Sequence, residues 1–260
     1  MGFRSTLLES AAMSEFESAR DRLAVALDVG SLDHAEALVE TLAGVPGWLK
    51  VGGELFTTAG PPAIKAAGKC ARVFLDTKLH DIPNTVARTV GAATRHGVSM
   101  LTLHTSGGAD MLRAARVAAE DAAAALDRPR PLLLGVTVLT SLSSAALEEV
   151  GFAAAVAADQ VMRMVDLALE SGIDGVVASP HEAAAIRNRA GAEFRIVTPG
   201  IRPEGWPADD QARTATAAGA ITAGSDLLVV GRPVLEAPDP SGAARQLIGE
   251  IERACGAEET

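Results

Sequence analysis

Short apolar runs alternate along the chain with longer, alanine-rich segments in which apolar residues recur at helical spacing. The apolar runs predict eight strands, over Leu23–Val29, Trp48–Gly52, Arg72–Lys78, Met100–His104, Leu132–Thr140, Gly175–Ser179, Arg195–Pro199 and Leu227–Arg232. The segments between them predict helices, over Asp33–Leu42, Pro61–Ala67, Thr85–His96, Ala109–Leu126, Ala153–Glu170, His181–Arg189, Asp209–Ala223 and Ser241–Ala254. The chain therefore consists of strand-then-helix units.

This regular alternation points to two α/β architectures. A doubly wound sheet usually has a glycine-rich GxGxxG turn after its first strand, whereas the first turn here is Asp28-Val29-Gly30-Ser31. Because no linker or change of composition separates the units, the pattern favours a (β/α)8 TIM barrel in a single domain. We predict an N-terminal extension over residues 1–20, which leaves Met1 or Met13 as the start, and the barrel over residues 21–260.

Polar side chains stand where the predicted strands end. They are Asp28, Lys50, Asp76, Lys78, His104, Thr140, Ser179 and Arg232. One such residue is typical of a strand entering solvent, but barrel enzymes assemble their active sites at the C-terminal ends of several strands. The pattern therefore predicts an active site at that end of the barrel.

The stretch FLDTKLHDIPNT, over residues 74–85, ends a core strand in charged side chains. Asp76 and Lys78 are two residues apart on a strand, so they should project to the same side. Lys50 and Asp28, at the ends of the two preceding strands, should lie beside them. Such an array favours the charged form of each member. Lys78 is then an ammonium suited to donating a proton, although a purely structural lattice of salt bridges is the alternative.

The loops after the last two predicted strands indicate a second half of the site. Thr198–Pro203 follows the seventh strand, and Val230–Pro233 closes the eighth. Barrel enzymes often bind phosphate at this position. Gly231 would allow close approach of an anion, and the Arg232 guanidinium offers two parallel hydrogen bonds. We therefore expect a small phosphorylated substrate.

Composition excludes several other classes of function. The net charge of −10 argues against a general nucleic-acid surface, which needs a basic face. No apolar run reaches about 18 residues, so no membrane span is predicted. Cys70 and Cys255 have no metal-binding or CxxC spacing, which is typical of reduced thiols in the cytoplasm.

The run Asp76-Thr77-Lys78-Leu79-His80-Asp81-Ile82-Pro83-Asn84-Thr85 resembles the DxKxxDIPNT signature of the orotidine 5′-phosphate decarboxylase family. Further motifs match that family in order and spacing. They are Ala26-Leu27-Asp28, Leu49-Lys50-Val51-Gly52, Val138-Leu139-Thr140-Ser141, Thr198-Pro199-Gly200-Ile201-Arg202, Asp210-Gln211 and Val230-Gly231-Arg232-Pro233. The resemblance covers the chain from Leu23 to about Pro240.

The resemblance implies decarboxylation of orotidine 5′-monophosphate to UMP in pyrimidine biosynthesis, with neither metal nor organic cofactor. It implies that Lys78 protonates C6 of a vinylic carbanion and that Asp76 completes the charged network beside the departing carboxylate. It further implies a homodimer with shared sites, in which the catalytic Asp81 and the substrate-binding Thr85 serve the other subunit, and it implies that Ile82 binds substrate.

The remaining family positions would bind substrate. Asp28 and Lys50 would hold ribose hydroxyls, and Thr140 and Ser141 would contact the pyrimidine. The phosphate end would be lined by Arg202, Gln211, Gly231 and Arg232. His80 has no implied chemical role and is expected to be structural.

Three alternatives remain open from the sequence. One is a metal-dependent sugar-phosphate decarboxylase or epimerase with a similar Asp-x-Lys-x-x-Asp strand, in which carboxylates hold Mg²⁺. Another is a Schiff-base aldolase acting through Lys78. The third is a non-catalytic module that binds orotidylate or UMP without turnover.

Overall fold

The eight strands of the computed structural model form one closed parallel barrel. The structure describes residues 16–140, 142, 144–149, 151, 157–203 and 214–258. The strands are β1 (Leu23–Ala26), β2 (Trp48–Gly52), β3 (Arg72–Leu79), β4 (Met100–His104), β5 (Leu132–Val136), β6 (Gly175–Val177), β7 (Arg195–Thr198) and β8 (Leu227–Val230). Each strand pairs with its neighbour in chain order, and β8 pairs with β1. The predicted (β/α)8 barrel is confirmed.

Helices connect the strands and surround the barrel. They are α1 (Leu32–Leu42), α2 (Gly53–Ala59), α3 (Pro61–Ala67), α4 (Pro83–Arg95), α5 (Ala109–Ala124), α6 (Ser144–Glu149), α7 (Ala157–Glu170), α8 (Ala183–Ala190), α9 (Ala217–Thr222), α10 (Arg232–Leu235) and α11 (Pro240–Glu258). Short 3-10 turns cover Ala19–Arg22 and Thr105–Gly107. No helix in the described ranges is both long and apolar enough to cross a membrane.

Side chains of the strands alternate between the barrel interior and the helical layer. Along β1, Leu23 and Val25 pack in the outer core with the helices, whereas Ala24 and Ala26 face an inner cluster. That inner cluster contains Phe16, Ala24, Ala26, Trp48, Phe74, Met100, Leu134, Val197, Leu227 and Val229. The same period of two brings polar residues to the next inward level. On the first four strands these residues are Asp28, Lys50, Asp76 and Thr102.

The N-terminal end of the barrel interior is closed by aromatic side chains. Phe16 is 5% exposed and stacks on Trp48 with ring centroids 5.9 Å apart. The guanidinium of Arg195 lies over the Phe16 ring, and that of Arg72 lies over Trp48. The described part of the predicted N-terminal extension thus packs against the barrel. The domain boundary at residue 20 stays a prediction, and residues 1–15 lie outside the described residues.

Element ends differ from the prediction in several places. The strands β1 and β5 end at Ala26 and Val136, earlier than predicted, because the segments that follow already belong to the loops around the site. The helices α2, α6 and α10 were not predicted. For two predicted helices, Ala153–Glu170 and Asp209–Ala223, the first residues lie outside the described residues.

Candidate active site

A cavity of about 750 Å³ opens at the C-terminal ends of the strands. Eight of the residues predicted from the sequence line it: Asp28, Lys50, Asp76, Lys78, Thr140, Arg202, Gly231 and Arg232. They come from both halves of the barrel, so the structure brings the predicted charged array and the predicted phosphate end into one space.

Charged side chains of alternating sign form the array on one wall of the cavity. Lys50 Nζ lies 2.9 Å from Asp28 Oδ1 and 3.5 Å from Asp76 Oδ2. Lys78 Nζ lies 2.9 Å from both oxygens of Asp76. The Lys50 side chain is only 9% exposed, whereas that of Lys78 is 38% exposed. Of the two ammonium groups, that of Lys78 is therefore the more accessible to a ligand in the cavity.

Asp76 remains ionised because of its neighbours. Its burial opposes the charged form, but the positive charges of Lys50 and Lys78 and hydrogen bonds from Lys78 and Thr102 outweigh that effect and hold the pKa of the Asp76 carboxyl below its ordinary value. Thr102 Oγ1 donates to Asp76 Oδ1 at 3.0 Å. The Asp76 carboxylate therefore faces the Lys78 ammonium as its ion-pair partner.

The backbone of β3 is irregular between its two functional residues. Leu75 pairs with Leu101 and Leu79 pairs with Leu103, so the register shifts between them. Lys78 has φ 48°, in the left-handed region that residues other than glycine rarely adopt. We predicted that Asp76 and Lys78 meet because they alternate along a regular strand. Their side chains do meet, but across this bulge.

Three predicted site residues lie outside their own cavity. Asp81, Ile82 and Thr85 are exposed and do not line it, and Ile82 is 66% exposed. The Asp81 carboxylate accepts a hydrogen bond from the Ile82 backbone N–H at 2.6 Å. Predicted contacts by Ser141 and Gln211 fall outside the described residues.

Two polar residues at strand ends, Ser179 and His104, contact other protein groups outside the cavity. Ser179 is fully buried; its N–H donates to Glu182 Oε2, and its Oγ accepts from the His181 N–H. His104 packs against His80 with ring centroids 5.4 Å apart. Burial, together with the nearby His80 and Lys78, lowers the pKa of His104, and Asp76 opposes this shift only in part. Neither Ser179 nor His104 lines the cavity.

Some residues of the site were not identified from the sequence. A Cβ atom at Gly52 would come within 2.9 Å of Asp28 Oδ1 and 3.1 Å of Lys50 Nζ, so a larger residue there would shift the ends of these paired side chains. His34 and Glu236 also line the cavity. The position of Gly52 two residues after Lys50 is a signal that could have identified it, since the side chain and the glycine then share one face of the strand.

The closed barrel with a charged cluster at the C-terminal ends of its strands defines a (β/α)8 barrel enzyme. A family model described as "Orotidine 5'-phosphate decarboxylase / HUMPS family" matches residues 21–247. The chain belongs to this family.

Named relatives and solved structures agree with this assignment. An orotidine 5'-phosphate decarboxylase of Moorella thermoacetica is 51% identical over 236 residues, which are 90% of this chain and 93% of the relative. One of Trichlorobacter lovleyi is 47% identical over 90% of this chain and 97% of its own length. The crystal structure of orotidine 5'-phosphate decarboxylase from Lactobacillus acidophilus superimposes with a TM-score of 0.79 at 35% identity, covering 88% of this chain and 98% of that chain.

Proposed function

We propose that this enzyme decarboxylates orotidine 5′-monophosphate to UMP in pyrimidine biosynthesis, and that Lys78 is the proton donor. The observation that carries this proposal is the placement of the Lys78 ammonium, 2.9 Å from both Asp76 oxygens, on the wall of a cavity that also contains Arg202 and Arg232. The relatives named orotidine 5'-phosphate decarboxylase, at up to 51% identity, support the same substrate.

The chemistry requires the protein to stabilise a localised negative charge. When the C6–carboxylate bond breaks, CO2 leaves and the electron pair stays on C6 in the plane of the ring, where the π-system does not delocalise it. An ammonium held beside C6 stabilises this carbanion electrostatically and then transfers a proton to it. Lys78 becomes a neutral amine and regains its proton from solvent, so the cycle needs no other reactant.

Asp76 holds the ammonium in place for that transfer. Its two oxygens fix Lys78 Nζ, and its own charge is maintained by Lys50 as well. The carboxylate of the substrate would face the Asp76 carboxylate in this arrangement. Repulsion between these two carboxylates favours loss of the uncharged CO2, which gives Asp76 a second role in the proposal.

The other residues of the cavity divide between the ribose, the base and the phosphate. Asp28, with its exposed carboxylate held by Lys50, suits hydrogen bonding to ribose hydroxyls. Thr140 and, from the family pattern, Ser141 would contact the pyrimidine. The guanidinium groups of Arg202 and Arg232 suit the phosphate, with Gln211 added by the family pattern.

Gly231 supports a phosphate at this end of the cavity. A Cβ atom there would meet only Asp28 Oδ2 at 3.5 Å and Ala26 Cβ at 3.7 Å, which are ordinary contacts. The neighbouring side chains therefore leave room for a Cβ atom at this position. Close approach of a ligand to the Gly231 backbone gives a reason for it.

We propose further that the active enzyme is a homodimer with shared sites. Three exposed residues do not line the cavity of their own chain, namely Asp81, Ile82 and Thr85. Their position supports a contribution to the site of a second subunit. The 66% exposure of Ile82 supports the same view, because large apolar side chains that are this exposed are often covered in an assembly.

The proposal includes no metal and no organic cofactor. Lys50 and Lys78 lie against the Asp76 carboxylate where Mg²⁺ would otherwise bind, which favours lysine-based chemistry over the metal-dependent sugar-phosphate reactions. The net charge of −10 supports the absence of a nucleic-acid partner. The free thiols of Cys70 and Cys255 support a reducing, cytoplasmic location. The proposal includes no membrane partner, in line with the lack of a long apolar run in the sequence.

The test is to add orotidine 5′-monophosphate to the purified protein with a chelator present and follow the ultraviolet absorbance of the substrate. We expect the absorbance to fall with multiple turnovers and UMP to appear in equal amount. Turnover that stops on chelation and returns with Mg²⁺ would favour the metal-dependent class. Binding of UMP without turnover would leave only a nucleotide-binding module, and borohydride trapping on Lys78 would indicate a Schiff base.

A further inference from the structure

Thr102 of β4 lies between the two functional residues of β3. The Lys78 backbone N–H donates to Thr102 Oγ1 at 3.0 Å, and Thr102 Oγ1 donates to Asp76 Oδ1 at 3.0 Å. An amide N–H only donates and an ionised carboxylate only accepts, so the directions of both hydrogen bonds are fixed. The hydroxyl thereby links the backbone of the lysine to the carboxylate that holds its ammonium.

The bulge in β3 explains why this link is needed. Between the pairs Leu75–Leu101 and Leu79–Leu103, three residues of β3 face the single residue Thr102 of β4. The regular ladder is interrupted there, so the Lys78 backbone N–H takes its acceptor from a side chain instead. The fully buried Thr102 hydroxyl supplies it for Lys78.

The conformation of Lys78 makes the link consequential for catalysis. A φ of 48° is unfavourable for a long side chain and persists where the surroundings fix it. The direction in which Lys78 Nζ projects depends on this backbone. A hydroxyl that fixes both the backbone of Lys78 and the Asp76 carboxylate determines where the ammonium sits in the cavity.

We propose that Thr102 is a positioning residue for proton transfer by Lys78. The role rests on the proposed function and extends it to a residue that does not line the cavity. Since Thr102 has no place against the substrate, its loss should lower kcat and leave KM for orotidine 5′-monophosphate unchanged. A misplaced catalytic group can reduce the rate by about 10²-fold.

Three variants test the role. Thr102→Val keeps the shape and removes the hydroxyl, while Thr102→Ser keeps the hydroxyl. Thr94→Val is the matched control, because Thr94 is equally buried and its hydroxyl donates to the Val90 carbonyl oxygen of its own helix at 2.9 Å, away from the cavity. Each variant is measured for kcat, KM and thermal unfolding, alongside the unchanged protein.

We expect Thr102→Val to lose about 10²-fold in kcat with KM unchanged, while Thr102→Ser and Thr94→Val keep the kcat of the unchanged protein. A kcat of Thr102→Val equal to that of the unchanged protein, or a change in KM alone, would overturn the positioning role. An unfolded Thr102→Val beside a folded, active Thr102→Ser would also overturn it, since the hydroxyl would then serve folding. If the unchanged protein does not consume the substrate, the proposed function itself fails, whatever the variants do.

Discussion

Lys78 Nζ is held 2.9 Å from each oxygen of Asp76, although the strand that carries both residues is interrupted between them. The bulge turns the lysine backbone into the left-handed region, and the two side chains still meet on the wall of the cavity. Lys50 and Lys78 lie on either side of Asp76, and against the effect of its burial their charges help to hold the pKa of the Asp76 carboxyl below its ordinary value.

The Asp76 carboxylate should stabilise the folded protein in a defined range of pH. Its folded pKa lies below the ordinary value of about 3.9, so the stabilisation is complete above that value and disappears as the pH falls through the lower, folded pKa. We expect the difference in unfolding free energy between the unchanged protein and Asp76→Asn to be constant above about pH 5 and to shrink in more acidic solution. Urea unfolding at a series of pH values measures it, and a difference that grows on acidification would contradict the assignment.

Removing the Phe16 side chain should destabilise the barrel without changing the rate of the reaction. Phe16 is nearly fully buried against Trp48 at the end of the barrel interior opposite the cavity. We expect Phe16→Ala to lower the unfolding free energy by ~3–5 kcal/mol and to leave kcat unchanged below the melting temperature. Denaturant unfolding and turnover assays measure the two effects. An unaltered unfolding free energy would show that the segment before β1 is dispensable for stability.

The role of Arg232 can be separated from general effects of losing an arginine. If its guanidinium binds the phosphate, Arg232→Ala should weaken UMP binding by ~10–100-fold, because the complex with UMP loses a charge-assisted hydrogen bond. Uridine has no phosphate, so its binding should weaken far less. Arg189→Ala is the control, since Arg189 forms an exposed ion pair with Asp166 at 2.8 Å. Calorimetry on both ligands measures the contrast. Equal losses for nucleotide and nucleoside would argue against a phosphate contact.

Sharing of sites between subunits predicts recovery of activity in mixtures. Lys78→Ala and Asp81→Ala should each be inactive alone. If Asp81 acts in the partner's site, random exchange gives heterodimers with one native site, which restores about a quarter of the native sites. Activity after mixing, with subunit exchange followed by a label, measures this. No recovery despite complete exchange would place Asp81 in its own subunit's site.

The sequence predicted the barrel because each strand is a distinct apolar run and each helix a distinct periodic segment. It also predicted that Asp28, Lys50 and Asp76 lie beside each other, since each stands where one of three consecutive predicted strands ends. The helix α2 was missed because its sequence, Gly53–Ala59, contains glycine and two threonines, which are poor helix formers.

Features that depend on contacts between distant residues were not predictable. The left-handed backbone of Lys78 depends on the register between β3 and β4, and nothing in the local sequence requires it. Thr102 was also missed. One threonine in an apolar strand is usually a core residue, and the hydrogen bonds of Thr102 to Asp76 and Lys78 depend on the same register between β3 and β4. His104 does end its strand as predicted, but the packing of its ring against His80 could not be read from the sequence.

The proton donor is the central assignment, and the rate of decarboxylation by Lys78→Ala tests it. The exposed Lys65 gives the control, Lys65→Ala, in a protein with few lysines. We expect Lys78→Ala to keep the fold and to lose more than ~10⁴-fold in kcat, since proton transfer contributes ~10²–10⁴ and electrostatic stabilisation adds ~10²–10³, whereas Lys65→Ala keeps full turnover. Near-normal loss of orotidine 5′-monophosphate absorbance with folded Lys78→Ala would contradict the assignment.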